Sequence, residues 1–144
     1  MSTFYVANDH AGLQLKAEVA QYLSSAGHTV IDLGTNSPAS TDYPDYAKAL
    51  ADRVAAEPGA FGVLVCGTGQ GMAMAANRVH GVRAAVCSDT FSARATRQHN
   101  NANVLCLGQR VVGVGLALDI VNVFATTAFE GGRHAARIAK FDPS

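Results

Sequence analysis

The sequence predicts an α/β protein built on a doubly wound parallel sheet. Short apolar segments alternate with helical patterns five times along the 144 residues, without an internal repeat or a linker. Short strands that are apolar throughout indicate a parallel sheet covered on both faces by helices. Right-handed crossovers then give the doubly wound arrangement. A chain of this length fits one domain, so residues 1–144 are expected to form a single unit.

Five segments have the composition of short buried strands, and each is followed by a residue typical of turns. They are residues 3–7, 29–33, 62–66, 82–87 and 104–107. Between and after them, helical patterns cover residues 15–26, 45–56, 72–78, 89–99 and 114–128, and the basic tail beyond Gly132 is predicted to be helical. Gly27 ends the first helix and Asp89 is the expected cap of the fourth. Residues 34–44 contain Asn, Ser, Thr, Asp and two prolines, which predicts a loop.

Composition and charge exclude several classes of protein. The formal net charge is zero and 15% of residues are charged, so there is no basic cluster for nucleic acid. No apolar run reaches the roughly 18–20 residues that cross a bilayer, and no export signal precedes the first strand. Three cysteines without C-x-x-C or zinc spacing argue against disulfides and a metal site. We therefore expect a cytoplasmic protein that binds neither nucleic acid nor membrane.

The most distinctive segment is the glycine-rich turn after the third strand. Cys66 ends the strand, and residues 67–71 then place glycine at alternate positions before a helical pattern. Exposed backbone N–H groups and the positive end of the helix dipole make such a turn a site for an oxyanion or a phosphate. The same field favours a thiolate, which makes Cys66 a candidate base or nucleophile. The alternative is an inert core cysteine, the interpretation kept for Cys87 and Cys106.

The glycine spacing matches neither common nucleotide-binding loop. The third glycine comes one residue too early for G-x-G-x-x-G, and the turn follows the third strand rather than the first. The Lys-Ser/Thr pair of a phosphate-binding P-loop is missing. Thr68, within the turn, either caps the helix or contacts a substrate through its hydroxyl group.

Other polar clusters are expected at the same edge of the sheet, because ligands of doubly wound folds bind beyond the carboxyl ends of the strands. Residues 8–10, 41–43 and 88–89 are such clusters, and His99 is placed with them at the active edge. The alternative for His99 is a cation at a helix C-terminus, worth ~0.3–1 kcal/mol. His10 could equally be a surface turn residue.

Three arginines are candidate contacts for an anion. Arg133 and Arg137 are four residues apart, so a helix places both guanidinium groups on one face, which suits a phosphate. Arg110 follows the fifth strand. The alternative for all three is a solvated surface with nothing bound.

The fifth predicted helix, residues 114–128, carries apolar side chains on more than one face. An outer helix of a single sandwich has one face in water, so the remaining apolar surface is expected to be covered by a second chain. We therefore expect a dimer at least. The basic tail beyond Gly132 could then reach a neighbouring subunit.

Seven motifs occur in order over nearly the whole chain. They are NDHAG at 8–12, TDYP at 41–44, CGTGQG at 66–71, AAN at 75–77, RQHNN at 97–101, GQRVVG at 108–113 and EGGRH at 130–134. Together they closely resemble type B ribose-5-phosphate isomerases, a family that also holds galactose-6-phosphate isomerase subunits. The resemblance implies a Rossmann-like three-layer α/β/α sandwich with a five-stranded parallel sheet. It also implies a homodimer or homotetramer with the active site at a subunit interface, and a tail, residues 130–144, that packs on the partner.

The resemblance further implies an aldose–ketose isomerase that interconverts ribose 5-phosphate and ribulose 5-phosphate in the pentose phosphate pathway, without a metal or other cofactor. By position, Cys66 would move the proton between C2 and C1 with help from Thr68, and His99 would open the furanose ring beside Asp9. The other implied contacts are Gly67, Gly69, Gln70 and Gly71 to the enediolate, Arg133, Arg137, His10 and Arg110 to the phosphate, and Tyr43 and Asn100 to the sugar.

Some members of the family use a glutamate just beyond the glycine loop as the base instead of a cysteine. This chain has Cys66 and carries Met72 where the loop ends, so it resembles the cysteine type. Gln70 stands where the family more often has a small or branched apolar residue, which leaves the sugar open. The alternatives are an isomerase of allose 6-phosphate, galactose 6-phosphate or a tetrose phosphate, and a non-catalytic phosphosugar sensor.

Overall fold

The computed structural model describes residues 1–143 and contains a five-stranded parallel sheet. The strands are β1 (Thr3–Asn8), β2 (Thr29–Asp32), β3 (Phe61–Cys66), β4 (Ala84–Val86) and β5 (Val104–Gly108). Their spatial order is β2-β1-β3-β5-β4, and every neighbouring pair is parallel. All five predicted strands are confirmed. Only β4 begins later than predicted, because the Val82 N–H donates to the Val79 carbonyl in the preceding turn.

In the described part of the chain, six helices connect or follow these strands. They are α1 (Leu13–Ser25), α2 (Tyr43–Ala56), α3 (Gln70–Ala76), α4 (Thr90–Asn100), α5 (Val114–Thr126) and α6 (Arg133–Ile138), and His10–Gly12 adds a 3₁₀ turn. The second begins two residues earlier than predicted, since Pro44 fits the first helical turn, where its missing N–H costs nothing. As predicted, Asp89 caps α4 by accepting from the Ser92 N–H at 2.6 Å. None of the described helices is long and apolar enough to cross a membrane.

The helices cover both faces of the sheet and give the expected three-layer α/β/α sandwich. Side chains alternate along each strand, so Val63 and Val65 point to one face and Leu64 and Cys66 to the other. Helices α1, α4 and α5 bury the first face, while α2 and α3 bury the second. The three central strands β1, β3 and β5 are therefore buried and apolar on both sides, as the sequence indicated, whereas the edge strand β2 exposes Thr29 and Asp32.

The strand order places one crevice at the centre of the sheet. The chain moves from β1 outward to β2 and then crosses to β3 on the other side of β1, so the loops after β1 and β3 diverge. Asn8 is in register with Val65, and the Asp9 N–H donates to the Val65 carbonyl at 3.2 Å. The segments that follow these two strands consequently lie side by side at the carboxyl edge.

Candidate active site

A cavity of about 310 Å³ opens at the carboxyl ends of β1 and β3. It is lined by Asp9, His10, Ala11, Tyr43, Cys66, Gly67, Thr68, Gly71 and Arg110. All but Ala11 are residues that the sequence assigns to the site. The cavity therefore lies at the predicted edge of the sheet. Four separate segments of the chain build it, as expected of a composite site. Gln70 is exposed and is not among the residues that line it.

Cys66 ends β3 at the base of this cavity with 6% of its surface exposed. The Gly69 N–H donates to Cys66 Sγ, with a nitrogen–sulfur distance of 3.0 Å. The loop can turn back on the sulfur because Gly69 has a φ of 82°, in the left-handed region that favours glycine. A backbone dipole is thus directed at the one sulfur that borders the cavity.

The N–H groups of the glycine loop are already partly used within the chain. Gly69 donates to Cys66, and the Gln70 N–H donates to Thr68 Oγ1 at 3.2 Å. Within the described part of the chain, the N–H groups of Gly67, Thr68 and Gly71 are left for an oxyanion. Because Thr68 Oγ1 accepts one hydrogen bond, its own O–H remains available to donate.

Two glycines allow the loop to pack against its neighbours. A Cβ atom at Gly71 would lie 2.5 Å from the Tyr43 ring, and one at Gly108 would lie 2.7 Å from the Thr68 carbonyl carbon. The turn after β5 is tied to the same loop, since the Gln109 N–H donates to the Cys66 carbonyl at 2.8 Å. The sequence marked Gly108 as the residue after the fifth strand and the first of the GQRVVG motif, but assigned it no role in the site.

Asp9 and His10 are both oriented by backbone groups. Asp9 is 7% exposed, and its Oδ1 accepts from the Ala11 N–H at 2.9 Å. The Thr41 N–H donates to His10 Nδ1 at 3.2 Å, so that nitrogen carries no proton. In the neutral ring Nε2 is therefore the protonated nitrogen, and His10 can donate to a ligand through it.

Arg110 brings a permanent positive charge to the cavity. Its N–H donates to the Gly67 carbonyl at 3.0 Å, and its Nη1 would be 3.3 Å from a Cβ atom at Gly67. The guanidinium group therefore lies against the glycine loop, where a negatively charged ligand would be held. The contact of Arg110 with an anion stays a prediction.

The prediction that His99 lies at the same edge as Cys66 is wrong within one chain. A helix after a parallel strand must carry the chain back to the amino end of the next strand, so α4 ends at the opposite edge. Just beyond it, the Asn101 carbonyl accepts from Arg83 Nε at 2.8 Å, beside the start of β4. Asn100 lines a separate cavity of about 620 Å³, in which Arg83 forms an ion pair with Asp142.

His99 instead joins residues of the tail. Its ring stacks on that of His134 with centroids 4.5 Å apart and an interplanar angle of 19°. Glu130 Oε1 lies 3.8 Å from His99 Nε2 and 3.5 Å from His134 Nε2. Burial lowers the pKa of His134, and the charges of His99 and Arg133 lower it further. Arg133 and Arg137 are exposed on the same short helix, α6.

Spacing along the sequence predicted no group of metal ligands and no role for Glu130 or His134. The folded chain does bring such a group together in His99, Glu130 and His134. Spacing could not reveal it, because the ligands come from the end of one helix and from a separate tail. In the sequence, these three residues fall in the RQHNN and EGGRH motifs, neither of which assigns a role to Glu130 or His134.

The fold and the cavity define a doubly wound α/β protein with a cysteine and an anion-binding loop at the switch point of its sheet. The chain belongs to the ribose/galactose isomerase family, whose model matches residues 4–141. The family resemblance and the isomerase class that the motifs indicated are thereby confirmed, as is the predicted fold.

Individual relatives agree over nearly the full length. The ribose-5-phosphate isomerase B of Escherichia coli is 48% identical over 130 residues, which cover 90% of this chain and 87% of that protein. The crystal structure of a ribose 5-phosphate isomerase from Thermotoga maritima is 48% identical, with a TM-score of 0.95 and 99% of both chains covered. A Mycoplasma genitalium structure with bound ribulose 5-phosphate is 45% identical, with a TM-score of 0.93, and covers 96% of this chain and 92% of that one.

Selective alkylation of Cys66 is expected in the native protein. Burial raises the pKa of the Cys87 thiol to about 11, with a further contribution from Asp89, and burial also raises the pKa of Cys106. Both thiols therefore stay protonated and shielded at pH 8, and a protonated thiol is a poor nucleophile. Iodoacetamide labelling followed by peptide mass spectrometry should modify Cys66 first, whereas the denatured chain should lose this selectivity. Equal labelling of Cys66 and Cys87 in the native chain would contradict the prediction that Cys66 is the reactive thiol.

Proposed function

We propose that the protein interconverts ribose 5-phosphate and ribulose 5-phosphate, with Cys66 moving the proton between C2 and C1. The observation that carries the proposal is the position of Cys66 Sγ. It accepts a hydrogen bond from the Gly69 N–H and lies in the cavity at the switch point of the sheet. The Mycoplasma genitalium relative with bound ribulose 5-phosphate, 45% identical, supports the choice of substrate. So does the name of the Escherichia coli relative.

The proton transfer requires a base and a group that holds the oxyanion. Hydrogen on carbon next to a carbonyl is weakly acidic, so the negative charge of the enediolate must be stabilised as it forms. The N–H groups of Gly67, Thr68 and Gly71 are the loop donors left for it at this edge, and Arg110 brings a positive charge beside them. Thr68 donates through its free hydroxyl to a sugar oxygen, while Cys66 takes the proton from one carbon and returns it to the other.

Ring opening needs one group to protonate the ring oxygen and another to accept the proton of the anomeric hydroxyl. We assign the first role to His99 and the second to Asp9. Asp9 Oδ1 is held by the Ala11 N–H, which leaves the second carboxylate oxygen for the sugar. Asp9 belongs to the cavity and His99 to the opposite edge of the same chain, so the two residues must come from different subunits.

We therefore propose that the active site is built from two chains. The residues that would complete a neighbour's cavity have to be exposed in the single chain. This holds for His99, Asn100, Arg133 and Arg137. Three apolar side chains just before and at the start of α5 are also open to solvent in the single chain: Val111 at 57%, Val114 at 47% and Leu116 at 43%. Covering this patch favours a dimer, in which the two arginines bind the phosphate of a sugar held at the partner's cysteine.

The enzyme class leaves the length of the sugar open. The family description covers ribose and galactose, so a six-carbon sugar phosphate is the main alternative to ribose 5-phosphate. Tyr43 packs over Gly71 and borders the cavity, so we propose that its ring limits the length of the sugar.

The three cysteines are free and buried, which suits a reducing compartment, and we assign the reaction to the cytoplasm.

The substrate is tested by comparing kcat/KM for four-, five- and six-carbon aldose phosphates in excess chelator. Ribose 5-phosphate should give the highest value, and the chelator should not reduce it, because the proposed proton transfer uses only side chains and backbone N–H groups. Misfit of one carbon unit costs about 10–200-fold in such a pocket. A preference of that size for a six-carbon sugar would overturn the pentose assignment, and no turnover of any sugar would favour a phosphosugar sensor.

A further inference from the structure

The end of α4, the segment before α6 and the first turn of α6 bring two imidazole rings and a carboxylate together. The ligand atoms of His99, Glu130 and His134 all lie within 4.8 Å of one another. His134 Nε2 is buried and, among the described residues, makes no hydrogen bond. Two histidines and a glutamate form a set of ligands that zinc takes in proteins.

The distances in this cluster match coordination better than hydrogen bonding. Glu130 Oε1 is 3.8 Å from His99 Nε2 and 3.5 Å from His134 Nε2, whereas hydrogen bonds of this kind span about 2.7–3.2 Å. Zinc bonds of about 2.0–2.1 Å place neighbouring ligand atoms of a tetrahedron about 3.3–3.4 Å apart. We propose that His99, Glu130 and His134 bind a zinc ion, with water or a substrate oxygen as the fourth ligand.

The local fold holds the three ligands close together without an ion. The Glu130 N–H donates to the Gln98 carbonyl at 3.1 Å, which ties the tail to the last turn of α4 next to His99. Gly131 and Gly132 have φ values of 70° and 58°, in the left-handed region, so the chain reverses and α6 returns His134 to Glu130. The three side chains therefore start close together, and the His99 ring has to rotate out of its stack on His134 for both Nε2 atoms to face one ion.

The surrounding charges set the strength of this site. Arg133 and Arg137 lie on α6 with His134, and their positive charges oppose a cation. Glu130 supplies one negative charge at the ligand position itself. The site should accordingly bind zinc reversibly and release it to a chelator, unlike a closed structural zinc site with four protein ligands.

Zinc binding should inhibit the enzyme, a consequence that rests on the proposed function. A zinc ion on Nε2 of His99 occupies the nitrogen that would protonate the ring oxygen of the sugar. Inhibition should therefore be stronger with the closed-ring substrate, ribose 5-phosphate, than with ribulose 5-phosphate, which cannot form that ring. The binding site itself does not depend on what the enzyme turns over.

Binding is tested by calorimetric titration of zinc chloride into the full-length Cys66→Ala protein, which lacks the competing thiol of the cavity. One zinc ion per chain is expected. Adding Glu130→Gln or His134→Asn should weaken binding by about 10–100-fold, the loss seen even for groups that only support a ligand. The matched control is His80→Asn, because His80 also faces a carboxylate, Asp142 at 3.5 Å, without a second imidazole.

Equal affinity in all variants, or no binding, would overturn the zinc site, provided circular dichroism shows that each variant is folded. Activity assays on the chain with Cys66 intact test the inhibition separately: Glu130→Gln should raise the zinc concentration for half inhibition about tenfold. Binding without inhibition would refute the regulatory role alone. A protein that binds zinc but isomerises no sugar phosphate would refute the proposed function and leave the site standing.

Discussion

Replacing Cys66 by alanine is expected to lower kcat by about 10²–10⁴-fold, the contribution typical of a general base. The side chain ends in the cavity at the switch point, and its sulfur is the atom to which the glycine loop donates. Alanine removes the proton acceptor but leaves the loop, Arg110 and the other ligand contacts in place. Calorimetry should therefore show that ribulose 5-phosphate still binds within a few-fold of the unaltered protein.

The matched control is Cys87→Ala. Cys87 is also buried and lies directly after the end of β4, but it belongs to the core on the opposite face of the sheet. Its loss should reduce stability through a small cavity and leave kcat nearly unchanged. Full activity in the Cys66→Ala protein would show that another group moves the proton. Equal loss in the two variants would point to damage of the fold.

The cavity of the single chain was predictable because it follows from rules that act locally. An apolar run that ends in a turn marks the carboxyl end of a strand, and in a parallel sheet all such ends share one edge. Asp9, Cys66 and Arg110 each stand just beyond or at the end of a strand, which is why they converge. Glycine at position 69 likewise favours the left-handed turn that the loop adopts, because it has no Cβ atom to oppose a positive φ.

The position of His99 was not predictable from the motifs alone, although the order of strands and helices determines it. Motifs identify residues that act together, but they do not say in which chain each one lies. The helix that follows β4 has to run back across the sheet, so its last residues cannot reach the cavity of their own chain. The stack of His99 on His134 depends on a chain reversal at Gly131 and Gly132, which sequence spacing does not encode.

The burial of Lys16 was likewise not predictable from the helical pattern. Its place in an amphipathic helix favours a solvated side chain, yet it is only 2% exposed. Its Nζ donates to Asp32 at 2.6 Å and to Asn36 Oδ1 at 2.8 Å, so the buried charge is paired and tied to the loop after β2. Such a partner set comes from tertiary structure and overrides the preference of the single residue.

Mixing two inactive proteins is expected to restore activity if the site is shared between chains. Cys66→Ala and His99→Ala each remove a proposed catalytic group, and the two residues lie at opposite edges of one chain. In a mixed dimer, one site carries both lesions and the other carries neither. An equal mixture, unfolded and refolded together, should therefore recover about a quarter of the unaltered activity, since half of the dimers are mixed and each has one intact site.

A second mixture serves as the control, with Thr68→Ala in place of His99→Ala. Cys66 and Thr68 line the same cavity of the same chain, so every site in that mixed dimer carries one of the two lesions. This mixture should stay inactive although its subunits exchange equally well, which separates true complementation from stabilisation by refolding. Mass measurement of intact dimers confirms that mixing has occurred. If the Cys66→Ala and His99→Ala chains form mixed dimers without recovery, then His99 does not act on a neighbour's cavity, and the proposed shared site fails.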